Sequence, residues 1–342
     1  MKEELLYLGI DIGGAHLKVV GVNQNNRVVL VKYSSCKIWE SVENLNNEFK
    51  KINIITKSKK TVVAITMTAE LCDNFKSRKN GVKKLMKKCN QLNHDKFYYI
   101  MNQKTFSKKP KFTEIMSMNW HAIGKFLEKK ITNAIAIDIG STTTDFLIIK
   151  NNKLLNLFFD DYSRLNNDEL IYTGLIRTPL FGVADTISIN NKKLKIVPEF
   201  FSNMSDVYRV LKELDKTYDI DDTADGQNKS LKNSLKRISR SFGFDYDKKK
   251  IDELIRICIQ IKEIQLSKIY STLIKNMRKH SLIDVPVVIS GIGQDVLNNF
   301  LIRRGVKTII LGELLVASKL NKQASYHAPA LSLALLLKTL KC

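Results

Sequence analysis

The amino-acid sequence predicts an α/β protein with two lobes that derive from a duplicated unit. Two segments share one pattern, residues 6–22 (LYLGIDIGGAHLKVVGV) and residues 134–149 (AIAIDIGSTTTDFLII). Each begins as an apolar strand, reaches Asp-Ile-Gly, turns through small residues and returns as a second apolar strand. Because this unusual hairpin recurs about 127 positions later, we predict an internal duplication with one hairpin in each lobe.

Length and composition agree with this prediction. The chain has 342 residues, which is enough for two lobes with separate cores, and 44% of them are hydrophobic. Only 15 glycines and 5 prolines are present, as is typical of a folded globular protein rather than a disordered or fibrous one. We expect a first lobe at residues 1–130 and a second at residues 131–342, with a polar and helical insertion around residues 199–245 and a central cleft.

Strands and helices alternate along the rest of the chain, as in other α/β proteins. Strands are predicted at residues 61–66, 97–101, 153–159, 194–197, 285–290 and 306–311. Helices are predicted at residues 82–91, 120–129, 206–214, 249–278 (broken into pieces), 295–303 and 328–338. The polar stretch at residues 217–236 predicts an active-site loop or a mobile insertion.

The formal net charge of +22 raises the question of nucleic-acid binding. The basic residues are dispersed, however, and no helix-turn-helix, zinc-finger or RNA-binding aromatic motif accompanies them, so we expect no nucleic-acid partner. A positive field favours the capture of an anionic small molecule instead. The five cysteines lack metal-binding or disulfide spacing, and we expect reduced thiols at Cys36, Cys72, Cys89, Cys258 and Cys342.

The two hairpin turns are candidate phosphate sites, because a glycine-rich turn presents backbone N–H groups to an anion. The turn residues are Gly13, Gly14, Gly140, Ser141, Thr142 and Thr143. Asp11 and Asp138 precede the turns at strand ends, where each can hold magnesium beside phosphate groups. Lys18 and Asp145 follow at the same offset, near the cleft wall or the lobe core. A tight hairpin alone would explain a single DIGG; the pair of hairpins carries the prediction.

A third glycine turn lies in residues 287–295, VVISGIGQD. Here a predicted strand runs through Gly291 and Gly293 into a helix, which directs the N-terminus of the helix at a ligand. An ordinary strand-to-helix turn is the alternative interpretation.

The order of DIGG hairpin, DIGSTTTD hairpin and SGIG loop resembles the acetate/sugar kinase–heat-shock ATPase–actin superfamily. The resemblance implies a duplicated actin/sugar-kinase-like (ribonuclease H-like) fold, in which the third loop contacts adenosine. Four segments narrow it further: MTAELCDNF (67–75), MNW (118–120), YTGLIRTP (172–179) and DTADG (222–226). Together they resemble the hydantoinase/oxoprolinase-related family associated with tetrahydromethanopterin-linked one-carbon transfer. The likeness extends from Leu6 to about Leu335.

Archaeal members of this family are methanofuran-biosynthesis synthases, so the resemblance implies a transferase. Such an enzyme joins an aminomethylfuran-methyl diphosphate to the phenol of γ-glutamyltyramine and releases diphosphate, with magnesium as cofactor and without ATP. Asp11, Lys18 and Asp138 are then the expected catalytic residues beside the diphosphate, with the two aspartates as metal ligands. Glu70 and Asp73 are the candidate bases, or alternatively a helix-capping pair.

Further residues become candidate substrate contacts under this resemblance: Tyr172, Thr173, Arg177, Thr178, Asp225, Gly226, Gly291 and Gly293. Arg177 would pair with the glutamyl carboxylate, or else form a structural salt bridge. Asp222 and Asp225 would bring a carboxylate to the cleft from the polar stretch, or else belong to an Asp-Gly turn. We interpret His16 as an oriented turn residue and His121 as a packing residue.

Two other functions stay open at this point. An ATP-dependent kinase acting on a small molecule in one-carbon metabolism would use the same cleft, with ATP as a cofactor. A non-catalytic actin-like sensor would not need Asp11, Asp138 and Asp145, all of which are present. We expect anionic small-molecule partners and leave a homodimer open. Because the first residues lead directly into a strand and no apolar run reaches about 20 residues, we also expect a cytoplasmic protein without a membrane partner.

Overall fold

The computed structural model describes residues 5–101, 105–189 and 191–340. Its strands are β1 (Leu5–Ile12), β2 (His16–Asn23), β3 (Val28–Ser35), β4 (Lys60–Met67), β5 (Asp95–Tyr99), β6 (Phe106–Ser107), β7 (Ala134–Ile139), β8 (Thr144–Lys150), β9 (Lys153–Leu154), β10 (Leu170–Ile171), β11 (Thr186–Ile189), β12 (Lys192–Lys195), β13 (Val287–Ser290) and β14 (Thr308–Ile310). Its helices are α1 (Asn44–Ile55), α2 (Arg78–Cys89), α3 (Asn119–Leu127), α4 (Asp161–Asn166), α5 (Leu180–Val183), α6 (Met204–Val210), α7 (Leu231–Ser241), α8 (Ile251–Lys279), α9 (Gln294–Ile302), α10 (Asn321–Ser325) and α11 (Ala328–Leu337). Short 3₁₀ turns lie at Ala69–Leu71, Phe112–Glu114, Lys248–Lys250 and Leu311–Leu314.

The first sheet has the strand order β3-β2-β1-β4-β5-β6. β1 is antiparallel to β2 and parallel to β4, so Asp11 pairs with Lys18 on one side and with Thr66 on the other. β2 is also antiparallel to β3, which places Lys18 opposite Tyr33. Residues directly opposite one another on neighbouring strands point to the same face. Four polar side chains therefore follow one another across this sheet.

The second sheet repeats the arrangement, with the order β10-β8-β7-β13-β14 and β9 paired to β8. In both sheets the first strand of the DIG hairpin is central and its return strand lies between it and a further antiparallel strand. On the other side of the central strand, three later strands (β4, β5 and β6) continue the first sheet, and two (β13 and β14) continue the second. The repeated order confirms the predicted duplicated α/β fold.

Two compact units make up the chain. Unit 1 comprises Met1–Ala136, Leu147–Arg164 and Ile309–Cys342, and unit 2 comprises Ile137–Phe146 and Leu165–Thr308. The predicted lobes divide the chain once, near residue 130, whereas these units are each assembled from separate segments. A division of this kind depends on contacts between distant parts of the chain, which local sequence patterns do not report.

Helix α11 gives the physical reason why the C-terminal segment belongs to unit 1. Its Ala330 carbonyl lies so close to Gly9 of β1 that a Cβ at position 9 would be 1.8 Å from that oxygen. Leu331, Leu333 and Leu337 of α11 are fully buried. A helix that is apolar on every side needs burial on every side, and β1, β2, β4 and α3 surround this one.

Three local expectations need correction. The stretch at 249–278 was expected in pieces, but α8 is one helix of 29 residues, because it contains neither glycine nor proline and keeps a continuous buried row from Leu254 to Leu273. The strand expected at 153–159 is limited to Lys153–Leu154, where pairing with β8 ends. The loop expected at 217–236 ends early, since Ser230 caps α7 and the helix begins at Leu231.

No helix in the described part of the chain is long and apolar enough to cross a membrane. Cys36, Cys72, Cys89 and Cys258 form no disulfide with any described residue, while Cys342 lies outside the described residues.

Candidate functional site

In unit 1 the turn between β1 and β2 is closed by a hydrogen bond from Gly13 N to His16 O at 3.0 Å. The Gly13 N–H is therefore used within the turn. Gly14 lies against Cys72, since a Cβ at position 14 would be 2.9 Å from Cys72 Sγ. Its own N–H donates to no described residue, and the residue is half-exposed. Of the two predicted glycines, Gly14 is the one whose N–H is available to an anion.

Asp11 is fully buried, and its two carboxylate oxygens differ. Oδ2 accepts a hydrogen bond from Lys18 Nζ at 3.0 Å. Oδ1 has no hydrogen-bond partner among the described residues, and neither does Oγ1 of Thr66, the residue paired with Asp11 on β4. Buried polar atoms are almost always hydrogen-bonded in proteins. These two oxygens therefore mark a place where a bound ion, ligand or water would complete the bonding.

A column of three aromatic rings lies near Lys18. The ring centroids of His16 and Tyr33 are 4.8 Å apart, and those of Tyr33 and His327 are 5.1 Å apart in a stacked arrangement. Burial, together with the smaller effects of the charges of Lys18 and His16, lowers the pKa of His327 to about 3. His327 is consequently neutral near pH 7 and adds no positive charge beside Lys18.

Glu70 lies in the 3₁₀ turn after β4 with 1% of its surface exposed. Its Oε1 accepts from Ser117 Oγ at 2.9 Å, and Ser117 Oγ accepts from Arg78 Nη2 at 2.9 Å. Burial raises the pKa of Glu70, opposed by hydrogen bonds from its own backbone and from Ser117 and by the charge of Arg78. The side chain is therefore a buried carboxyl group connected through a hydroxyl to a guanidinium.

Asp73 has a different environment. It is exposed and forms no hydrogen bond or ion pair with any described residue. The alternative that Glu70 and Asp73 cap a helix is wrong for α2, because its N-cap is Ser77, whose side chain accepts from Asn80 N. Of the two candidate bases, the structure gives only Glu70 an organised surrounding.

In unit 2 the second hairpin turn is closed by a hydrogen bond from Gly140 N to Thr143 O at 2.9 Å. The N–H groups of Ser141, Thr142 and Thr143 donate to no described residue. The turn is half-exposed, so these three donors are available to an anion.

Asp138 ends this unit's counterpart of β1, and its Oδ1 accepts a hydrogen bond from Ser290 Oγ at 2.7 Å. Ser290 is the last residue of β13, the neighbour of β7 in the second sheet. Asp138 and Asp145 each expose 8% of their surface. Ser290 thus orients one oxygen of the aspartate that the sequence predicts beside a metal.

The third glycine turn lies directly on the end of β7. Gly291 has a φ of +88°, and a Cβ there would be 2.3 Å from Ile139 O and 2.9 Å from Asp138 Oδ1. Gly293 is the N-cap of α9, and its N–H donates to Ile139 O at 3.1 Å. Only glycine allows so close an approach at position 291. Packing thus explains both glycines, and their contact with substrate stays a prediction.

The segment 172–179 packs against the turn at residues 140–143. A Cβ at Gly174 would lie 2.5 Å from the carbonyl carbon of Ser141 and 2.7 Å from Gly140 O. Leu175 N donates to Gly140 O at 2.9 Å, and Arg177 N donates to Ser141 O at 2.8 Å. The backbone of this motif therefore holds the candidate anion-binding turn in place.

The four predicted substrate contacts in that segment divide into two pairs. Thr173 and Thr178 are buried; Thr173 Oγ1 accepts from Gln265 Nε2 at 2.8 Å, and Thr178 Oγ1 accepts from Gly174 N at 2.8 Å. Tyr172 is 51% exposed. Arg177 is also exposed, and its guanidinium has no ion pair with the residues that the structure describes. The structure leaves Tyr172 and Arg177 accessible to a ligand and engages the two threonines internally.

The DTADG segment is bonded to α7. Asp225 Oδ1 accepts from Arg237 Nη1 at 2.9 Å, while Nε and Nη2 of the fully buried Arg237 bind Asp206 at 3.0 and 2.7 Å. Gly226 has a φ of +68° with open space around it, as in an Asp-Gly turn, and Asp222 is exposed. The carboxylate of Asp225 thus holds its own segment in place.

His121 belongs to an aromatic cluster in unit 1. Its Nδ1 lies 2.8 Å from Tyr99 Oη, and its ring packs near Trp120 and Phe159. Burial lowers the pKa of His121 to about 4, assisted by Lys125. A neutral, packed imidazole matches the interpretation of His121 as a packing residue.

No group of three or more histidine, cysteine or acidic side chains able to hold a metal occurs within residues 5–101, 105–189 and 191–340. Magnesium commonly uses one or two carboxylates and completes its coordination with water and phosphate oxygens. Single aspartates such as Asp11, with its buried oxygen that lacks a hydrogen bond, fit that mode of binding.

Comparisons with known proteins define the family. Residues 61–320 match the hydantoinase/oxoprolinase family. The sequence is 28% identical over 340 residues, 98% of both chains, to the (4-{4-[2-(γ-L-glutamylamino)ethyl]phenoxymethyl}furan-2-yl)methanamine synthase of Methanocaldococcus jannaschii. It is 32% identical over 209 residues to the synthase of the same name from Methanococcus vannielii, covering 60% of this chain and 91% of that one. Both relatives are synthases, which supports an enzyme.

Solved structures of low sequence identity show a looser similarity. A ROK family glucokinase from Streptomyces griseus, in complex with glucose and AMPPNP, aligns with a TM-score of 0.48 at 12% identity over 97% of this chain and 98% of that one. The ethanolamine utilization protein EutJ from Carboxydothermus hydrogenoformans aligns with a TM-score of 0.46 at 12% identity over 96% and 89%. The fold of this chain follows from its own repeated sheet order.

Several residues at these positions were absent from the sequence-based prediction. Ser290 directly precedes Gly291 at a predicted strand end, so the same reasoning that selected Asp138 would have selected it. Thr66, at the end of the predicted strand 61–66, had the same signal. Ser117 and Arg78 had none, because Ser117 is 47 residues from Glu70 and 39 residues from Arg78 in the chain.

Proposed function

Because the chain belongs to the hydantoinase/oxoprolinase family, we propose that it is a transferase of methanofuran-type cofactor biosynthesis. It would join an aminomethylfuran-methyl diphosphate to the phenol of γ-glutamyltyramine, or of a close analogue, and release diphosphate. The similarity along the full chain to the M. jannaschii synthase carries this proposal. The name of that relative describes a phenoxymethyl group, which is an ether between a phenol oxygen and a methylene carbon of the furan.

The proposed reaction exchanges one carbon–oxygen bond for another. The phenol oxygen bonds to the methylene carbon, the bond from that carbon to the diphosphate oxygen breaks, and its electron pair leaves with the diphosphate. The furan ring shares the positive charge that develops on the carbon, so negative charge accumulates mainly on the leaving group. Catalysis then requires cationic and N–H groups at the diphosphate and an acceptor for a phenol proton whose ordinary pKa is about 10.

Each unit offers groups suited to a diphosphate. In unit 1 we assign this role to Lys18 and to the N–H of Gly14, with Gly13 shaping the turn. In unit 2 we assign it to the N–H groups and hydroxyls of Ser141, Thr142 and Thr143, with Gly140 closing the turn. These assignments are supported by four backbone N–H groups that donate to no described residue, those of Gly14, Ser141, Thr142 and Thr143.

Magnesium fits the chemistry of the aspartates. The buried Oδ1 of Asp11 lacks a hydrogen bond and has the buried hydroxyl of Thr66 beside it, which supports a cation held there through water. Asp138, oriented by Ser290, is the corresponding residue of unit 2. Bound magnesium would neutralise charge on the leaving diphosphate.

The accessible side chains of unit 2 suggest where the acceptor is recognised. Arg177 is exposed and has no ion pair with the described residues, so its guanidinium can pair with the carboxylate of a glutamyl group. Tyr172 is exposed five positions earlier in the same segment. We propose these two as substrate contacts, with Thr173 and Thr178 acting indirectly through the backbone that they hold.

A direct assay tests the proposal. The purified protein is incubated with magnesium, the synthetic furan diphosphate and γ-glutamyltyramine, and both the ether and released diphosphate are quantified. We expect equimolar ether and diphosphate, and a loss of at least tenfold in kcat/KM for Asp11→Asn and for Asp138→Asn. Ser332→Ala is the control, because Ser332 is fully buried in α11 and its Oγ makes no hydrogen bond with any described residue.

Nucleotide binding distinguishes the main alternative. The glycine turn before α9 has a strand-to-helix form that suits a nucleotide as well, so an ATP-dependent kinase remains the second candidate. Calorimetry with magnesium and a non-hydrolysable ATP analogue addresses it. Tight diphosphate binding without nucleotide binding would support the transferase, whereas micromolar nucleotide binding together with absence of ether formation would overturn it in favour of the kinase.

A further inference from the structure

The surroundings of Glu70 are assembled from three separate parts of unit 1. β4 leads into the 3₁₀ turn that carries Glu70, and an isolated parallel bridge between Met67 and Met116 brings Ser117 alongside. Helix α2 closes from another side, where a Cβ at Gly81 would lie 2.9 Å from the Cα of Glu70. Only a glycine fits at position 81, because α2 lies so close to the turn that carries Glu70. Three chain segments thus meet at one carboxyl group.

Two features of this arrangement lower the stability of the fold, so stability does not explain why they are present. Glu70 Oε2 is buried and has no hydrogen-bond partner among the described residues, although an unsatisfied buried acceptor costs about 1–3 kcal/mol. Ser117 has a φ of +51°, a left-handed conformation that serine seldom adopts. Residues held in such conformations tend to cluster at functional sites. The two observations are independent, and both lie on the same hydrogen-bonded pair.

The charged neighbours of Glu70 are few. Arg78, at the start of α2, is the charged group that acts on it, with Nη2 3.9 Å from Oε1. The pKa of a second carboxylate, Asp160, is lowered mainly by its hydrogen bonds with Ser163 and to a smaller extent by the charge of Arg78. The side chain of Arg78 is 40% exposed, whereas that of Glu70 is fully buried. Arg78 is therefore the partly exposed end of a chain of hydrogen bonds that leads through Ser117 to the buried carboxyl group.

We infer that Glu70 accepts the phenol proton through its Oε2, and that Ser117 and Arg78 are positioning residues that hold the carboxylate for this step. The inference rests on the proposed transferase function. The phenol O–H bond breaks and its proton goes to Oε2, while the freed electron pair forms the bond to the methylene carbon and the diphosphate departs with its own pair. The proton is released to water after the ether leaves.

The pH dependence follows from the hydrogen bonds. Glu70 must be ionised to accept a proton, so kcat/KM should fall as pH decreases through its raised pKa. Ser117 donates to the ionised form and Arg78 stabilises it by charge, and both interactions lower the pKa of Glu70. Removing either partner should shift the acidic limb of the profile to higher pH. A purely structural role for these residues would reduce activity without moving the limb.

The test compares two acceptors in the ether assay. One is γ-glutamyltyramine, and the other carries fluorine atoms on both ring carbons next to the hydroxyl, which makes the phenol far more acidic. We expect Glu70→Gln to lose about 10²–10⁴-fold in kcat/KM with the first acceptor, to lose the acidic limb, and to recover at least tenfold of that deficit with the fluorinated acceptor. We expect Ser117→Ala and Arg78→Ala to shift the limb upward and to lose less than Glu70→Gln.

Glu48→Gln is the matched control. Glu48 is another buried carboxylate of unit 1, with 5% of its surface exposed, and it pairs with Lys32 and Lys51 instead. The Glu48→Gln substitution should leave kcat/KM with both acceptors and the pH profile unchanged. Thermal unfolding of each variant identifies loss of folding.

The outcomes separate the two hypotheses. If the wild-type protein forms the ether but folded Glu70→Gln is equally impaired with both acceptors and keeps its acidic limb, the proton-acceptor role is wrong and the transferase function stands. If the wild-type protein forms no ether with either acceptor, the proposed function and this inference are both wrong.

Discussion

Ser290 donates a hydrogen bond to Asp138 across two neighbouring strands, with Oγ and Oδ1 2.7 Å apart. Both side chains are buried, Ser290 at 2% and Asp138 at 8% exposure. In metal sites, hydrogen bonds that orient a ligating carboxylate commonly strengthen its binding of the ion. Gly291 follows with a conformation that brings its own backbone against the same carboxylate. Asp138 is therefore held by a serine and a glycine that are adjacent in the chain.

Replacing Ser290 tests this arrangement. We expect Ser290→Ala to weaken magnesium-dependent diphosphate binding by about tenfold or more, because the carboxylate loses the hydrogen bond that orients it. Ser290→Thr retains the hydroxyl and should restore most of the affinity. Calorimetric titration with magnesium and diphosphate measures both variants, and equal affinities of Ser290→Ala and wild type would contradict the orienting role.

Gly174 offers a steric test of the candidate anion-binding turn at residues 140–143. A Cβ at this position would meet the backbone of Ser141 and Thr142 at 2.5 Å, and backbone atoms cannot rotate away as a flexible side chain does. We expect Gly174→Ala to cost about 1–3 kcal/mol in the free energy of unfolding and to abolish diphosphate binding, measured by urea unfolding and calorimetry.

Gly182→Ala is the matched control for that substitution. Its Cβ would have ordinary contacts at 3.7 Å with Thr178, and it lies in helix α5, where alanine is favoured over glycine. Its stability should be unchanged or slightly higher. If the two alanine variants had the same stability and the same affinity for diphosphate, the close packing of Gly174 against the turn would not determine the position of the turn.

His327 predicts an acid-sensitive stability. Its pKa is lowered to about 3 by burial, whereas an unfolded histidine has a pKa near 6.5. Below pH 6.5 the histidine therefore binds a proton in the unfolded chain, whereas in the folded chain it stays neutral down to about pH 3. The stability is fully present above pH 6.5 and decreases as pH falls, at up to about 1.4 kcal/mol per pH unit for this one group.

His327→Phe removes this titration and keeps a ring to stack on Tyr33. Urea unfolding at pH 7, 6, 5 and 4 should give a smaller loss of stability toward low pH than in the wild type. Some acid sensitivity should remain, because His121 also has a pKa lowered by burial, to about 4. Identical pH slopes for variant and wild type would contradict a buried neutral His327.

Arg237 is expected to be essential for the stability of unit 2. It is fully buried and binds Asp206, itself 1% exposed, as well as Asp225. Arg237→Met would leave buried carboxylate charge without its main partner, and we expect a loss of about 3–5 kcal/mol in the free energy of unfolding. Arg303→Met removes an exposed pair with Glu263 at 3.7 Å and should cost less than about 1 kcal/mol. Comparable losses in the two variants would contradict the buried network.

Local pattern in the sequence was enough to predict several elements of the fold. Both DIG hairpins, the strand before Gly291 and the apolar helix at the C-terminus occur where they were predicted, because apolar periodicity and small-residue turns depend on neighbouring residues only. The unbroken α8 was missed although it contains neither glycine nor proline, because the length of a single helix also depends on the partners that pack against its buried row. The two segments that return to unit 1 were missed for a related reason, because they are defined by contacts far apart in the chain.

The sequence by itself determined the duplication, the family and the positions of Asp11, Asp138 and the glycine turns. Only the tertiary structure distinguished Glu70 from Asp73, and accessible Arg177 from buried Thr173. It also joined Arg78 and Ser117 to Glu70. The physical reason is that chain neighbours set strands and turns, whereas burial, hydrogen-bond satisfaction and pKa depend on residues that folding brings together from distant positions.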